Sequence, residues 1–557
     1  MSAQPVASIA RWIPAVGWLR RYQPAWLRRD LVAGVVTACV VVPQCVAYAS
    51  LAGLPVEVGL YVATVPMALY VLLGTSRPLS VSTTSTISLL TASAIADSGE
   101  PDVLVAASAL AVIVGVLLLV VGLLRLGFLA DLVSSPILTG FKTGTGLVII
   151  AGQLGKLTGI PVDGSGFFQD LRDVLGGLDE IQGLTLALGV GTIVLLVALR
   201  RFAPRLPAPL IGVAAGIVIV AAFDLVDRGV AVIGEVPSGL PGFELASPQH
   251  WGSLFPGALG IALMSAVESL AAGRALRAKE DPPIDANREL IALGVANLGA
   301  GAFHGYPAGG GLSQSAVNDQ SGARTQISSL TTVATVVIVL TTLTGVLEDL
   351  ADATLAALVI VAAGGLIQPV AFRRLAGIRR RDFALALVAV AGVLIFGILD
   401  GVLIAIAVSI ITLVYQTNHR AVEVLGVDPQ TGQFRTLARH AEAQPLAGIV
   451  IVRMRGPLSF ANVQRVRTEI LTALDDAPQP PRFLICDCAA LADIEITALE
   501  VMAELATELR GRGIEPWMAE MVSDQRAMMD RFGTAPQLRY FDNLAAAVAA
   551  STDQRST

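Results

Sequence analysis

Apolar runs of spanning length recur from about residue 31 to about residue 416, separated by short polar punctuation. They predict helices over 31–52, 58–74, 83–97, 103–124, 134–153, 182–201, 207–225, 255–277, 288–304, 311–323, 326–346, 352–372, 382–397 and 399–416. A helix needs about 20 apolar residues to cross the hydrocarbon core of a bilayer. Twelve of the fourteen runs approach that length, and the third and tenth fall short. After residue 416 the pattern changes. Residues 417–443 are polar, with turn signals at Asp428-Pro429 and Thr431-Gly432, and are expected to be a linker. Beyond it, 447–456 alternates like a strand, 460–476 reads as an amphipathic helix and 482–488 as a buried strand. A helix over 497–513 and a strand over 515–521 follow. Alternating elements of this kind predict a small α/β domain over 444–552. The flanks are an N-terminal segment, 1–30, and a tail, 553–557.

Composition agrees with a lipid-facing chain. Hydrophobic residues make up 54% of the 557 and charged residues 15%, against about 25% charge in soluble domains. The position of charge adds topology. The N-terminal arginines Arg11, Arg20, Arg21, Arg28 and Arg29 precede the first span, and the tract 200–205 follows the sixth. Arg274, Arg277 and Lys279 follow the eighth, and the tract 373–381 follows the twelfth. With fourteen spans all four clusters share one side, which the positive-inside rule makes cytoplasmic. Both termini and the α/β domain are then cytoplasmic. The four cysteines and four histidines have no zinc-ligand spacing, so no metal or cofactor is expected. The glycine-rich tract 140–146 lacks a βαβ frame for a nucleotide loop, and no catalytic constellation or nucleic-acid partner suggests itself.

Fourteen spans divide into seven plus seven, and two halves of odd helix count must run in opposite directions. This is the arithmetic of an inverted repeat, with a substrate site at the midplane. The two short spans occupy equivalent positions. The third, 80–96, opens with Ser82, Thr83, Thr84 and Ser85, and the tenth, 306–322, opens with three glycines ending at Gly311, then Ser313, Gln314 and Ser315. Irregular backbone survives at membrane depth only where it lines protein or water. Two half-helices starting near the midplane would aim unpaired N–H groups at one point, each with about half a positive charge. No acidic side chain lies in either opening, so the pocket is expected to hold an anion.

Glu268 is the one acid deep in the eighth span. Such a residue is a functional hypothesis by default, and it is expected to couple transport to a proton; an ion pair with Lys142 is the structural alternative. In the first span Pro43 is expected to break the helical ladder, with Gln44 and Tyr48 on one face beside the break.

At these residues the chain resembles the sulfate permease (SulP) family. Pro55, Gly59-Leu60-Tyr61 and Gly74-Thr75-Ser76-Arg77 match that family's Pro, Gly-Leu-Tyr and Gly-Thr-Ser-Arg run. The segments 42–55 and 287–307 carry further family signatures. The resemblance implies a seven-plus-seven fold with core and gate domains, a homodimer in a bacterial inner membrane, and a C-terminal STAS domain open to a regulatory partner. It implies an anion between the third and tenth spans, with Gln44, Tyr48, Thr84, Ser85, Gly311, Ser313 and Gln314 as substrate-binding residues and Glu268 for the coupling ion. Some members carry an arginine where this chain has Gln314, so a site without a fixed positive side chain is expected. The STAS loop reads Ile494-Glu495-Ile496-Thr497, with Glu in place of the usual Asp, so a structural or interaction role is expected rather than phosphorylation at Thr497. The leading expectation is proton-coupled uptake of sulfate, bicarbonate or a dicarboxylate. Sodium coupling, exchange, a passive anion channel and, against the terminal domain, a nucleobase permease are the alternatives; an enzyme is not expected.

Overall fold

The computed structural model describes residues 14–556 except 129–133, 163–165, 205, 245–250, 280, 282, 419–421 and 534–537. Arg11, Arg205, His250 and His419 lie outside the described residues. The chain divides near residue 410 into two compact units.

The first unit is helical. It opens with α1 (Pro14–Arg20) and α2 (Pro24–Leu51). The first span therefore begins inside the segment 1–30, because Pro24 sits in the first turn, where a missing N–H costs nothing. The expected break at Pro43 is absent: α2 continues through it. The second span is split into α3 (Val56–Val62) and α4 (Val65–Leu73), with Pro66 restarting the helix. Then come α5 (Ser85–Ser98), α6 (Val103–Leu123), α7 (Ser135–Thr158), the amphipathic α8 (Phe167–Gly176), α9 (Gly183–Phe202) and α10 (Ala208–Ala222). The second half supplies α11 (Trp251–Leu276), α12 (Ala286–Ala302), α13 (Leu312–Gln320) and α14 (Ile327–Ile338), the last running on through a π turn and a 3₁₀ turn to Leu347. The twelfth span is also two helices, α15 (Asp352–Gly364) and α16 (Pro369–Ile378), parted where Gly364-Gly365 and Pro369 interrupt the ladder. Finally come α17 (Arg380–Phe396) and α18 (Ile398–Asn418). A helical element thus stands at every predicted span. Among the described residues, eight segments are long and apolar enough to cross a membrane by length and hydropathy alone.

Small residues let these helices approach closely, as they do where lipid offers no hydrophobic drive to association. A Cβ on Gly115 of α6 would lie 2.9 Å from the Gly294 carbonyl of α12, and one on Gly140 of α7 only 2.1 Å from the Ala386 carbonyl of α17. The first turn of α12 carries a second kind of tie. Glu289 is buried and accepts from the Tyr70 hydroxyl and from the Thr75 backbone N–H (3.0 Å) and hydroxyl. Arg77 pairs with Asp281 at 2.9 Å. The two family signatures, 74–77 and 287–290, are therefore halves of one junction that holds the chain entering the third span.

Two short strands of the first unit, β1 (Val81–Ser82) and β2 (Gly309–Gly310), precede the six-stranded sheet of the second unit. The strands of that sheet are β3 (Val422–Val427), β4 (Phe434–Thr436), β5 (Ile449–Met454), β6 (Phe483–Asp487), β7 (Glu515–Ala519) and β8 (Arg539–Phe541), in the order β4-β3-β5-β6-β7-β8. The strands β5 to β8 run parallel, connected through α19 (Val463–Asp475), α20 (Ile496–Gly511) and α21 (Ser523–Phe532); α22 (Leu544–Ser556) follows. Val450, Val452, Leu484 and Cys486 face one core, and Ile449, Ile451, Phe483 and Ile485 face the other. This is the two-sided burial that a parallel sheet requires. The expected linker 417–443 is corrected here. Its residues 422–427 and 434–436 are the antiparallel hairpin that begins this sheet, joined by the Asp428-Pro429…Gly432 turn. The short, partly polar strand VEVLGV had only weak alternation to announce it.

Candidate functional site

The third and tenth spans begin as extended chain. Val81–Ser82 (β1) and Gly309–Gly310 (β2) form an antiparallel ribbon, with Val81 opposite Gly310 and Ser82 opposite Gly309. Immediately after these strands α5 and α13 start, so the two helix N-termini arise from one crossing point. The three glycines let neighbouring side chains close tightly over the ribbon. A Cβ on Gly309 would stand 2.6 Å from Ile87 Cδ1, one on Gly310 2.8 Å from Leu79, and one on Gly311 2.7 Å from Gln314 Nε2.

Backbone polar groups buried in a membrane must all be satisfied, and neighbouring helices do so here. Ser269 of α11 accepts from Gly310 N–H (2.7 Å), and Ser265 donates to the Ala308 carbonyl (2.9 Å). The Asn297 amide of α12 clamps Ala308, accepting from its N–H (2.8 Å) and donating to its carbonyl (3.0 Å). On the β1 side Ser315 accepts from Ser80 N–H (2.9 Å), Asn318 donates to the Pro78 carbonyl (3.1 Å), and Gln326 donates to the carbonyls of Ser76 (2.6 Å) and Leu79 (3.1 Å). A hydroxyl row, Thr83–Ser88 at 2.8 Å and Ser88–Tyr306 at 3.1 Å, fills the space behind α5.

The two helix ends differ. Thr84 caps α5: its hydroxyl accepts from Ile87 N–H (3.3 Å) and donates to Glu268 Oε2 (3.1 Å). Gly311, without a side chain, leaves α13 uncapped. The first N–H groups of α13 therefore have no partner inside the helix or from a cap. Glu268 is half-buried, and no ion pair within 4.0 Å joins it to Lys142 among the described residues.

Thr84, Ser85, Gly311 and Glu268 are thus gathered at the ribbon, with Tyr48 of α2 beside Ser85. Gln44 and Tyr48 share the wall of a small cleft of about 20 Å³, room for about one water. The same cleft is lined by Arg200 of α9, Leu358 and Pro209. Arg200 is one residue that sequence reasoning missed. Its tract read as a basic cluster at a span end, yet Arg200, which donates to the Val361 carbonyl at 3.2 Å, lines the same cleft as Tyr48 and brings a fixed positive charge within electrostatic reach of it. Ser313 is exposed in the first turn of α13. Gln314 is turned away from the others: it is 1% exposed, its Oε1 accepts from the Ser82 hydroxyl (2.8 Å), and its Nε2 donates to the Ser80 carbonyl (3.1 Å). Its amide staples β1 to α13. Ser265 and Ser269, missed as well, had a legible signal: they stand four apart, on one helical face, in the otherwise apolar run that contains Glu268.

The sulfate permease family pattern matches residues 27–389, and the STAS domain pattern matches 440–547. The chain belongs to the sulfate permease family. That family comprises transporters, not enzymes, and this member is a multi-pass membrane protein. It is 37% identical over 540 residues to a probable sulfate transporter of Mycobacterium tuberculosis, covering 95% of this chain and 96% of that one. It is 32% identical over 543 residues to the chloroplastic sulfate transporter 4.1 of Arabidopsis thaliana, covering 93% and 79%. Among solved structures, murine Slc26a9, an anion transporter in an inward-facing state, superposes with a TM-score of 0.90 at 23% identity over 99% of this chain and 96% of that one. The transmembrane domain of a cyanobacterial bicarbonate transporter, BicA, gives 0.60 at 21% identity, covering 70% and 98%. The fold of this family member is therefore that of the SLC26 anion transporters, with a C-terminal STAS domain.

Proposed function

We propose that this protein is a proton-coupled symporter of a small oxyanion of the sulfate, bicarbonate or dicarboxylate class. The observation that carries the reading is the β1–β2 ribbon, which sets the N-terminus of α5 and the uncapped N-terminus of α13 at one point. Converging helix N-termini form an anion site from bare amides and aligned dipoles. Ser85 and Ser313 add hydroxyl donors, Thr84 has its one O–H to offer only when Glu268 does not take it, Gly311 admits the ligand to the backbone, and Gln44, Tyr48 and Arg200 border it from α2 and α9.

Glu268 supplies the coupling. Its carboxylate shares the Thr84 hydroxyl with the start of α5. A charged Glu268 repels a second anion at that helix end, and a protonated one does not. Anion and proton then enter together, and each promotes binding of the other. The resemblance to the sulfate permeases further supports a homodimer with cytoplasmic termini in a bacterial inner membrane, and the basic clusters favour the same orientation. The exposed Thr497 follows Glu495, whose carboxylate accepts from Phe460 N–H (3.0 Å). That arrangement suits a protein-interaction surface better than a phosphorylation loop.

Uptake of radiolabelled sulfate, bicarbonate and dicarboxylates into proteoliposomes tests the reading. A symporter accumulates its anion against a gradient when the outside is acidified. Accumulation only on imposing sodium would replace the proton by sodium, and flux that merely follows voltage would replace the symporter by a channel.

A further inference from the structure

A cavity of about 420 Å³ lies away from the ribbon, bounded by α1, the start of α2, the 74–78 turn and the turns near 281 and 325. Four guanidinium groups line it, from Arg21, Arg77, Arg277 and Arg324, against one described carboxylate, Asp281. Arg77 pairs with that carboxylate at 2.9 Å, and Arg277 donates to the Asp281 backbone carbonyl at 3.2 Å. A second acid, the buried Asp30, stands behind the wall and accepts from the Arg324 and Thr325 backbone N–H groups at 2.6 and 3.1 Å, while the guanidinium groups of Arg21 and Arg324 make no ion pair within 4.0 Å among the described residues. Counting Asp30 and also Glu280, whose placement lies outside the described residues, the four arginines still outnumber the acids by one. Residues 1–13 contain no acid that could make up the difference.

Three buried donors at the cavity wall also lack a partner: Trp18 Nε1, Ser76 Oγ and Arg77 Nε. Buried polar groups left unpaired call for an unseen partner. Excess guanidinium charge together with unspent donors fits a group with several acceptor oxygens, which Arg holds bidentately. The surroundings indicate where such a group comes from. Leu19, Leu27 and Leu31 are exposed beside Trp18, Tyr22 and Trp26, and Arg20, Arg28 and Arg29 are interleaved with them. Exposed apolar residues mixed with tryptophan, tyrosine and arginine mark a segment lying in the headgroup layer of a bilayer.

We propose that this cavity binds the phosphate headgroup of an anionic phospholipid, with Arg21 and Arg324 as its principal cations and Trp18 and Trp26 beside the glycerol. Basic pockets next to membrane helices take anionic headgroups for this physical reason. The site adjoins the transport machinery. Gln326 and Ser76 line it, and the Gln326 amide donates to the Ser76 and Leu79 carbonyls on the strand leading into β1. A bound headgroup braces the chain that forms one side of the ribbon.

The test is native mass spectrometry of the full-length protein released from vesicles of phosphatidylcholine containing phosphatidylglycerol. The wild type is expected to retain phosphatidylglycerol, and Arg21→Ala with Arg324→Ala to retain it about thirtyfold more weakly, from about one surface cation's worth of attraction per arginine. Equal retention by the double variant overturns the proposal. A second measurement on the wild type stands if the variant does not fold: phosphatidylglycerol with brominated chains should quench tryptophan emission more than brominated phosphatidylcholine at equal density. Equal quenching overturns the proposal. So does saturation by inorganic phosphate without any retained lipid, which would assign the cavity to a soluble phosphate-bearing anion.

Discussion

Replacing Glu268 by glutamine removes a charge and little else. The Gln Oε1 still accepts from Thr84, whose hydroxyl stands 3.1 Å from the native Oε2, so the ribbon and the α5 cap are retained. An anion on the far side of that hydroxyl lies about 6 Å from the carboxylate. At an effective dielectric constant of about 20, two unit charges at that separation repel by roughly 2.8 kcal/mol, about a hundredfold in affinity. Glu268→Gln is therefore expected to bind the anion about a hundredfold more tightly than the wild type at alkaline pH, with the two converging as the pH falls and Glu268 takes up its proton. In vesicles the variant should retain anion-for-anion exchange and lose accumulation driven by a pH gradient. Equilibrium binding of labelled anion across a pH series, paired with gradient-driven uptake, reads both effects. Equal affinity of variant and wild type at alkaline pH, or undiminished pH-driven accumulation by the variant, would refute the role given to Glu268.

Gln314→Ala strands the Ser82 hydroxyl and the Ser80 carbonyl. At about 1–3 kcal/mol per unpaired buried group, it should lower thermal stability in detergent and weaken anion binding together. Gly140→Ala puts a methyl group 2.1 Å from the Ala386 carbonyl and should cost about 1–3 kcal/mol as α7 and α17 separate, read as a lower melting temperature. In the STAS domain, Asp487 is fully buried and pairs with Arg453 at 2.8 Å. Asp487→Asn should cost about 3 kcal/mol by denaturant titration, the low end for a broken buried pair because Arg453 is partly exposed. Burial beside Asp487 pushes the Cys486 thiol up to about 12 from 9.0. Maleimide should therefore leave Cys486 unmodified in the folded domain at pH 8. Because its folded value is raised, its contribution to stability is intact below pH 9 and declines from there towards about pH 12, a slope that Cys486→Ala should reduce.

The architecture was legible where a physical constraint left a mark on residue type. Membrane depth leaves long apolar runs, and an interrupted span leaves short ones rich in glycine and serine; hence 80–96 and 306–322 pointed to the ribbon that β1 and β2 form. What the pattern withheld was direction. A glutamine after Ser313 is equally suited to facing a ligand or tying down a strand, and Gln314 does the second. Arg200 ends a helix in the chain and lines the same cleft as Tyr48, a proximity created by α10 and α15, which pack against both α2 and α9. Pro43 was expected to interrupt a helix that tolerates it, whereas the breaks at Pro66 and Gly364-Gly365 fell inside runs apolar enough to read as continuous. Glu289 appeared as part of a family signature, but its partners Tyr70 and Thr75 lie more than two hundred positions earlier, beyond any local pattern.

The account rests on an anion held by the bare amides where α5 and α13 meet. The most direct measurement is the structure of the protein loaded with selenate, a heavier oxyanion of sulfate shape, with its anomalous signal recorded. The account predicts a selenium peak within hydrogen-bonding reach of the first amides of both helices, beside Thr84 and Ser313. A peak at Arg200 or in a surface loop, with none at the helix ends, would contradict it.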